Sequence, residues 1–139
     1  MTISSILSTP VKQISVHGGD VYHILKHSDQ CFNGFGEAYI SYIDFEHIKG
    51  WKRHLRMSMN LVVPFGLVEF YFTEDFSSFR KFTIGTTCYS RLSVPPSIWF
   101  AFRGLSEPTS IIFNIASIEH DPDEVERLPL EFNSSPWES

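Results

Sequence analysis

Short runs of alternating apolar and polar residues, separated by glycine and proline, make up most of the chain and predict β-strands. We predict strands over residues 37–44, 51–63, 67–73, 80–84, 91–94, 98–103 and 110–118. The turn sequence Pro64-Phe65-Gly66 predicts that the second and third of these strands form a hairpin. Many short strands at this spacing are typical of an antiparallel sandwich or jelly-roll barrel, so the expected fold class is all-β.

One helix is predicted near the C-terminal end. Asp121 is suited to an N-cap, Pro122 to the first helical position and Glu124 to the third, which together form a capping-box pattern. The predicted helix covers residues 122–127 and ends before Pro129. We expect residues 1–139 to form a single domain, with residues 131–139 as a tail.

The strand predicted at 51–63 has one polar and one apolar face. Read at period two, the polar face carries Lys52, His54, Arg56, Ser58 and Asn60. The other face carries Trp51, Leu55, Met57, Met59 and Leu61. Such a cationic, hydrogen-bonding face is suited to an anionic, oxygen-rich small molecule. The spacing alone favours a strand whose polar face is solvated, because most half-polar strands face water.

Composition narrows the function classes. The formal net charge of −5 over 139 residues argues against nucleic-acid binding, which requires many exposed phosphate contacts. We find no signal peptide and no apolar run long enough to span a bilayer, so no membrane partner is expected. Cys31 and Cys88 are far apart and have no metal-ligand spacing, which fits free thiols in a reducing cytoplasm. The thirteen phenylalanines predict a substantial core and a subunit interface.

Three blocks of sequence carry a resemblance to a known family. They are GEAYISYIDFEHIKGWKRHLRMSMNLVVPFGLVEF, SVPPSIWFAFRGLSE and NIASIEHDPDEVERLPL, within residues 35–130. This order resembles the cupin-fold dTDP-4-dehydrorhamnose 3,5-epimerase family, in particular a divergent bacterial branch found in surface-polysaccharide pathways. The resemblance implies a jelly-roll barrel, a homodimer, and a nucleotide-diphospho-sugar site in the barrel mouth. It further implies epimerase or isomerase activity on a 4-keto sugar.

The resemblance also indicates which positions would carry the chemistry. Lys52 stands where the family has its base histidine, and Asn60 aligns near the lysine that stabilises the enolate. Phe100 stands where the family has a second histidine, Asn114 near the tyrosine acid, and Ile118 near the carboxylate that orients the base. The fold signature is therefore retained, whereas most of the family's catalytic side chains are replaced.

The residues leave three possibilities open for the chemistry. Lys52 could act as the base if desolvation beside Arg56 lowers its pKa. His54, whose ordinary pKa is already near neutrality, could take that role instead. Alternatively, the chain is a non-catalytic cupin that binds a sugar nucleotide.

Three further residues are candidates for substrate binding. Trp99 and Arg103 alternate on one face of their strand and could stack a nucleobase or bind a phosphate, or they could be a packed tryptophan and a surface arginine. His120 could be functional or could fix the turn into the predicted helix.

A metal site is not expected. The first cupin metal block is reduced here to Lys52-Arg53-His54, which offers one imidazole, and Phe100 occupies the place of a later histidine. Catalytic Zn²⁺ and Fe²⁺ usually need three protein ligands. We therefore predict neither a metal nor an organic cofactor.

Overall fold

The computed structural model describes residues 2–138, which form an antiparallel β structure. The strands are β1 (Leu7–Pro10), β2 (Gln13–Ile14), β3 (Val21–Tyr22), β4 (Glu37–Asp44), β5 (Ile48–His54), β6 (Met59–Phe65), β7 (Leu67–Thr73), β8 (Arg80–Gly85), β9 (Ser90–Val94), β10 (Trp99–Gly104), β11 (Thr109–Ala116) and β12 (Val125–Arg127). One short α-helix, α1 (Ser135–Glu138), follows them. In the described part of the chain, no helix is long and apolar enough to cross a bilayer.

Two five-stranded sheets face each other. Sheet I has the order β1-β9-β6-β11-β4, and sheet II has the order β12-β5-β10-β7-β8. All pairings within both sheets are antiparallel. The jelly-roll class predicted from the sequence is therefore confirmed.

Aromatic and β-branched residues fill both faces of sheet II. Phe70 and Phe72 of β7 point between the sheets into the main core, and Tyr71 between them points to the outer face. On that outer face Tyr71 joins a second cluster with Trp51 and Trp99. Burial on both faces explains why β7 is a nearly continuous apolar run.

The predicted strand at 51–63 is wrong, because two strands and a corner occupy that segment. β5 lies in sheet II and β6 in sheet I, and the chain crosses between them at residues 55–58. The predicted hairpin at Gly66 is also wrong, since β6 and β7 lie in different sheets. Gly66 has φ 94°, and a Cβ there would lie 2.2 Å from Oγ of Ser110, so it forms a tight corner rather than a hairpin turn.

The predicted helix at 122–127 is replaced by a single 3₁₀ turn and a strand. Asp121 caps the turn as predicted, because its side chain accepts a hydrogen bond from the backbone N–H of Asp123. β12 begins at Val125 and pairs with β5, so that it forms the edge of sheet II. The one α-helix among residues 2–138 is Ser135–Glu138, in the segment expected to be a tail.

Candidate active site

A cavity of about 350 Å³ opens between the two sheets at one end of the barrel. Its apolar lining includes Met59, Leu61, Phe70, Phe100, Phe102 and Ile112. Its polar lining includes Tyr39, Ser41, Lys49, Lys52, His54, Asn114 and Arg127. The cavity therefore combines an aromatic floor with a rim that carries positive charge and hydrogen-bonding groups.

His54 is the central polar residue of the cavity. Its side chain is buried, and its Nδ1 lies 2.6 Å from Oε1 of Glu124. Its other ring nitrogen, Nε2, is buried and has no hydrogen-bond partner among the described residues. The ring stacks on Phe100 with centroids 6.0 Å apart. This leaves Nε2 free for a bound molecule.

Glu124 is held in place by the corner between the sheets. Its Oε2 accepts backbone N–H bonds from Leu55 at 3.0 Å and from Arg56 at 3.1 Å. A carboxylate that accepts such bonds is favoured in its ionised form. Oε1 therefore accepts a hydrogen bond from Nδ1–H of His54. In this tautomer the lone pair of Nε2 is available to take a proton.

The ionisation of this pair follows from burial and from the contact itself. Burial lowers the pKa of His54, against the opposing effect of the hydrogen bond that its ring donates to Glu124. Burial works against ionisation of Glu124 too, but the bonds from His54 and from the backbone of Arg56 hold its pKa below the usual value. At neutral pH the pair is thus a neutral imidazole beside a carboxylate.

Sequence reasoning missed the role of Glu124. The capping-box pattern assigned its side chain to the start of a helix, whereas it reaches the corner at 55–57 and His54. The local pattern Asp-Pro-Asp-Glu gave Glu124 a capping role, whereas its side chain contacts His54, 70 residues away in the sequence. No pattern within the sequence specifies that pairing, because it depends on β12 joining the edge of sheet II.

Tyr39 and Asn114 form the opposite wall, on sheet I. They are cross-strand partners, and Nδ2 of Asn114 donates to Oη of Tyr39 at 3.0 Å. In the part of the chain that the structure describes, the hydroxyl of Tyr39 has only the sulfur of Met57 as an acceptor, at 3.9 Å, and Oδ1 of Asn114 is buried without a partner. Burial raises the pKa of Tyr39, so its hydroxyl stays protonated and can donate. Tyr39 was not among the predicted site residues.

Three cations line the rim. Lys52 of β5 and Arg127 of β12 are cross-strand partners, and Lys49 lies three residues before Lys52 on β5. Burial, followed by the nearby Arg127, lowers the pKa of Lys52. Among residues 2–138, neither Lys52 nor Arg127 has an ion-pair partner, whereas Nζ of Lys49 donates to the carbonyl of Tyr42 at 2.8 Å. The positive charges of Lys52 and Arg127 are therefore available to an anion.

The structure places three of the eight sequence-predicted site residues in the cavity, namely Lys52, His54 and Asn114. Arg56 and His120 lie at the surface, where the guanidinium of Arg56 binds Asp121 at 2.8 Å and the N–H of His120 donates to Glu37.

The other three point away from the cavity. Asn60 is buried on the outer side of sheet I, where it contacts Ser93 and the carbonyl of Cys31. Trp99 packs under Arg53 in the outer cluster, and Arg103 binds Glu69. Asn60 and Arg56 were assigned to the face of His54 because 51–63 was treated as one strand; the corner at 55–58 ends that alternation.

The residues that could ligate a metal are sparse. Among residues 2–138 there is no group of three or more His, Cys, Asp or Glu side chains placed to hold an ion. His54 and Glu124 bind each other, and the remaining polar lining consists of cations, a tyrosine, a serine and an amide.

No sequence-family model matches the chain, and no curated protein matches it significantly. Solved structures do match. A dTDP-sugar isomerase from Desulfovibrio desulfuricans G20 superposes with a TM-score of 0.86 at 28% identity, covering 90% of this chain and 84% of that one. The chain has the fold of the dTDP-sugar isomerases and epimerases.

Two more distant structures share this isomerase and epimerase fold. The 3,4-ketoisomerase QdtA from Thermoanaerobacterium thermosaccharolyticum, in complex with TDP-4-keto-6-deoxyglucose, has a TM-score of 0.77 at 17% identity and covers 94% of this chain and 91% of its own. A dTDP-4-dehydrorhamnose 3,5-epimerase from Elizabethkingia anophelis NUHP1 has a TM-score of 0.74 at 12% identity and covers 89% and 75%. The fold relationship that the sequence blocks indicated is thereby confirmed.

Proposed function

We propose that the protein is an isomerase or epimerase that moves a proton on a nucleotide-diphospho-4-keto sugar. The observation that carries the proposal is the free Nε2 of His54 inside the cavity, with Nδ1 held by the Glu124 carboxylate. This arrangement suits a histidine general base, because the carboxylate fixes the tautomer and stabilises the imidazolium that forms. Of the two candidate bases in the sequence, His54 is favoured over Lys52.

The reaction begins at the carbon next to the ketone. Nε2 of His54 takes the proton from that carbon, the electron pair of the C–H bond forms the enolate double bond, and the carbonyl oxygen gains the negative charge. Lys52 has no carboxylate partner among residues 2–138 and provides positive charge on the same wall for that oxygen.

The second proton transfer decides the product. Tyr39 lies on sheet I and His54 on sheet II, so a sugar between the sheets has a base on one side and a donor on the other. Return of a proton to the same carbon from the Tyr39 side inverts its configuration. Return to the former carbonyl carbon, with loss of the hydroxyl proton from its neighbour, moves the ketone instead.

The cationic rim suits the diphosphate. The protein carries a net charge of −5, so attraction for a dianionic ligand has to come from a local cluster. One charge pair at 4 Å is worth about 1 kcal/mol in water and about 4 kcal/mol at an effective dielectric constant near 20, before desolvation. We assign this role to Lys49, Lys52 and Arg127, and the aromatic floor to the sugar ring.

The proposal extends to a homodimer in the cytoplasm. Ile40 and Tyr42 are about half exposed on the outer face of the edge strand β4, next to Phe113 and Ile111 of β11. Such an apolar sheet face supports association of two copies over more than about 1,200 Å². Light scattering should give a mass near twice the 16.0 kDa of one chain, and a mass near that of one chain at micromolar concentration would contradict the dimer.

The pathway that we propose is the synthesis of sugars for a surface polysaccharide such as an O-antigen or a capsule. Neighbouring genes for sugar-nucleotide dehydratases, aminotransferases and glycosyltransferases would support this context. Neighbours without any role in sugar chemistry would count against it.

Proton exchange tests the activity directly. The protein is incubated in D₂O with dTDP-, UDP- and GDP-4-keto-6-deoxyhexoses, and the protons at C3 and C5 are followed by NMR. We expect deuterium at the carbon next to the ketone with at least one substrate. Tight binding of these sugars without exchange would show that the chain is a non-catalytic sugar-nucleotide binder, which is the alternative function.

A further inference from the structure

The C-terminal segment contributes two of the polar groups of the site. Glu124 precedes β12 and binds His54, and Arg127 ends β12 beside Lys52. β12 has only three residues and lies at the edge of sheet II. A strand this short has few ladder hydrogen bonds of its own, so its position depends on what holds the chain on either side of it.

The segment after β12 is fixed through Trp51. The backbones of Trp51 and Leu128 exchange two hydrogen bonds of 3.1 Å, and Nε1 of Trp51 donates to the carbonyl of Asn133 at 2.9 Å. Beyond that, the ring of Trp137 packs on Trp51 with centroids 5.5 Å apart and on Tyr71 with centroids 5.4 Å apart.

Trp51 is adjacent to Lys52 and three residues before His54 along β5. Trp51 therefore contacts the end of the C-terminal segment and lies in the same strand as His54. The segment that begins at Glu124 thus packs back on β5 through the contact of Trp137 with Trp51.

We propose that Trp137 is a positioning residue for the site. Its packing on Trp51 and Tyr71 holds β12 in register with β5, so that the Glu124 carboxylate stays on Nδ1 of His54 and Arg127 stays beside Lys52. The inference concerns the geometry of the His54–Glu124 pair; its effect on turnover rests on the proposed function.

The first experiment needs no substrate. Nitrogen-15 NMR of the imidazole reports the tautomer and the pKa of His54 in the intact protein. In the wild type we expect the proton on Nδ1. In Trp137→Ala the loss of Glu124 as acceptor should shift the tautomer towards Nε2–H and lower the pKa of His54, because Glu124 raises it. Glu124→Gln sets the size of the full effect.

Matched variants separate positioning from general loss of packing. Phe132→Ala removes an aromatic ring of the same segment that contacts Phe76 but neither Trp51 nor Tyr71, and it should leave the His54 signals unchanged. Trp137→Phe retains a ring and should keep the wild-type tautomer. If Trp137→Ala does not fold, Trp137→Leu, which keeps an apolar side chain but no ring, takes its place with the same expected change in the His54 tautomer. An unchanged His54 tautomer and pKa in a folded Trp137→Ala protein, or the same change in Phe132→Ala, would overturn the proposal.

A second measurement connects the anchor to catalysis. Displacement of a catalytic group by about 1 Å can cost up to about a hundredfold in rate, so Trp137→Ala should slow proton exchange by about tenfold or more. In the Glu124→Gln background the same substitution should add little further loss, because the carboxylate it positions is already absent. Additive losses would contradict a route through Glu124. If the wild type shows no exchange, the proposed function fails, and the NMR result still decides the positioning role.

Discussion

Oε1 of Glu124 lies 2.6 Å from Nδ1 of His54, and the two residues are 70 positions apart in the sequence. This contact fixes the tautomer of His54, which burial keeps neutral. The opposite ring nitrogen is left in the cavity without a partner. Most of the predictions below depend on that relationship.

Loss of either partner should abolish most of the proton exchange. His54→Gln removes the base and should lower the exchange rate by about 10²- to 10⁴-fold, the usual contribution of general-base catalysis. Glu124→Gln keeps the shape but no longer fixes the tautomer, and it should also lower the rate. His47→Gln, at an exposed position outside the cavity, is the matched control. Wild-type exchange in His54→Gln would exclude His54 as the base.

Tyr39→Phe should separate proton removal from product formation. The variant retains the ring but loses the hydroxyl that faces the base, so deuterium exchange should persist while the yield of isomerised or epimerised sugar falls by about tenfold or more. Tyr42→Phe removes a hydroxyl from the other face of the same strand and should behave like the wild type. Deuterium incorporation and the yield of product sugar are both quantified by NMR. Equal loss in the two variants would point to damage of β4 rather than to a proton donor.

Acid should destabilise the fold through the same pair. The pKa of His54 is lower in the folded protein than its usual value of 6.5, so the unfolded chain binds more protons, and stability is lost as the pH falls below about 6.5. The lowered pKa of Glu124 acts in the same direction as the pH falls below its usual value of 4.5.

Urea denaturation at pH values from 8 to 4 measures this dependence. The slope for a single proton cannot exceed about 1.4 kcal/mol per pH unit. His54→Gln should flatten the curve between pH 7 and 5, whereas His47→Gln should not. A stability curve that rises towards acid over this interval would contradict the assignment.

Lys52→Ala and Arg127→Ala should each weaken binding of a nucleoside diphosphate by about tenfold, since each removes one charge from a partly desolvated rim. The remaining affinity should depend less steeply on salt. Lys12→Ala removes an exposed lysine that is not part of the cavity lining and serves as the control. Titration calorimetry with dTDP at two salt concentrations gives both quantities. An equal effect of all three substitutions would indicate general charge attraction rather than a site.

Gly66→Ala should destabilise the barrel more than Gly34→Ala. Both glycines have φ 94°, so both substitutions incur the same backbone cost. A Cβ at Gly66 would also meet Oγ of Ser110 at 2.2 Å, whereas a Cβ at Gly34 has nothing within 4 Å. The difference in free energy of unfolding should be about 1–3 kcal/mol, the usual cost of overpacking. Urea denaturation of the two variants provides the comparison; equal midpoints would show that the corner at Gly66 can relax.

The sequence predicted the fold better than the site. Alternation in segments such as 37–44 and 67–73 is a local property, and it was sufficient to predict strands and an all-β class. The corners at 55–58 and Gly66 were missed because period-two alternation does not show where a chain leaves one sheet for the other. The sequence therefore placed Arg56 and Asn60 in the cavity, whereas Arg56 lies at the surface and Asn60 faces the outer side of sheet I.

Glu124 and Tyr39 were missed for a different reason. Each lies in a segment whose sequence has a sufficient local explanation, a capping pattern for Glu124 and an aromatic strand for Tyr39. Their roles arise from neighbours in space, namely His54 and Asn114. Lys52 and His54 were found because charge clustered in an acidic protein is visible without knowledge of the fold.

The corner at 55–57 and the base share one carboxylate, since Glu124 accepts the N–H groups of the corner as well as Nδ1 of His54. An engineer who wishes to move the base elsewhere in this barrel cannot discard Glu124 with it, because the corner would lose its acceptor. A library aimed at new substrates should therefore hold positions 54 and 124 constant as one unit. Diversity belongs at Phe70, Phe102 and Lys49, which line the cavity without contacting His54 or Glu124.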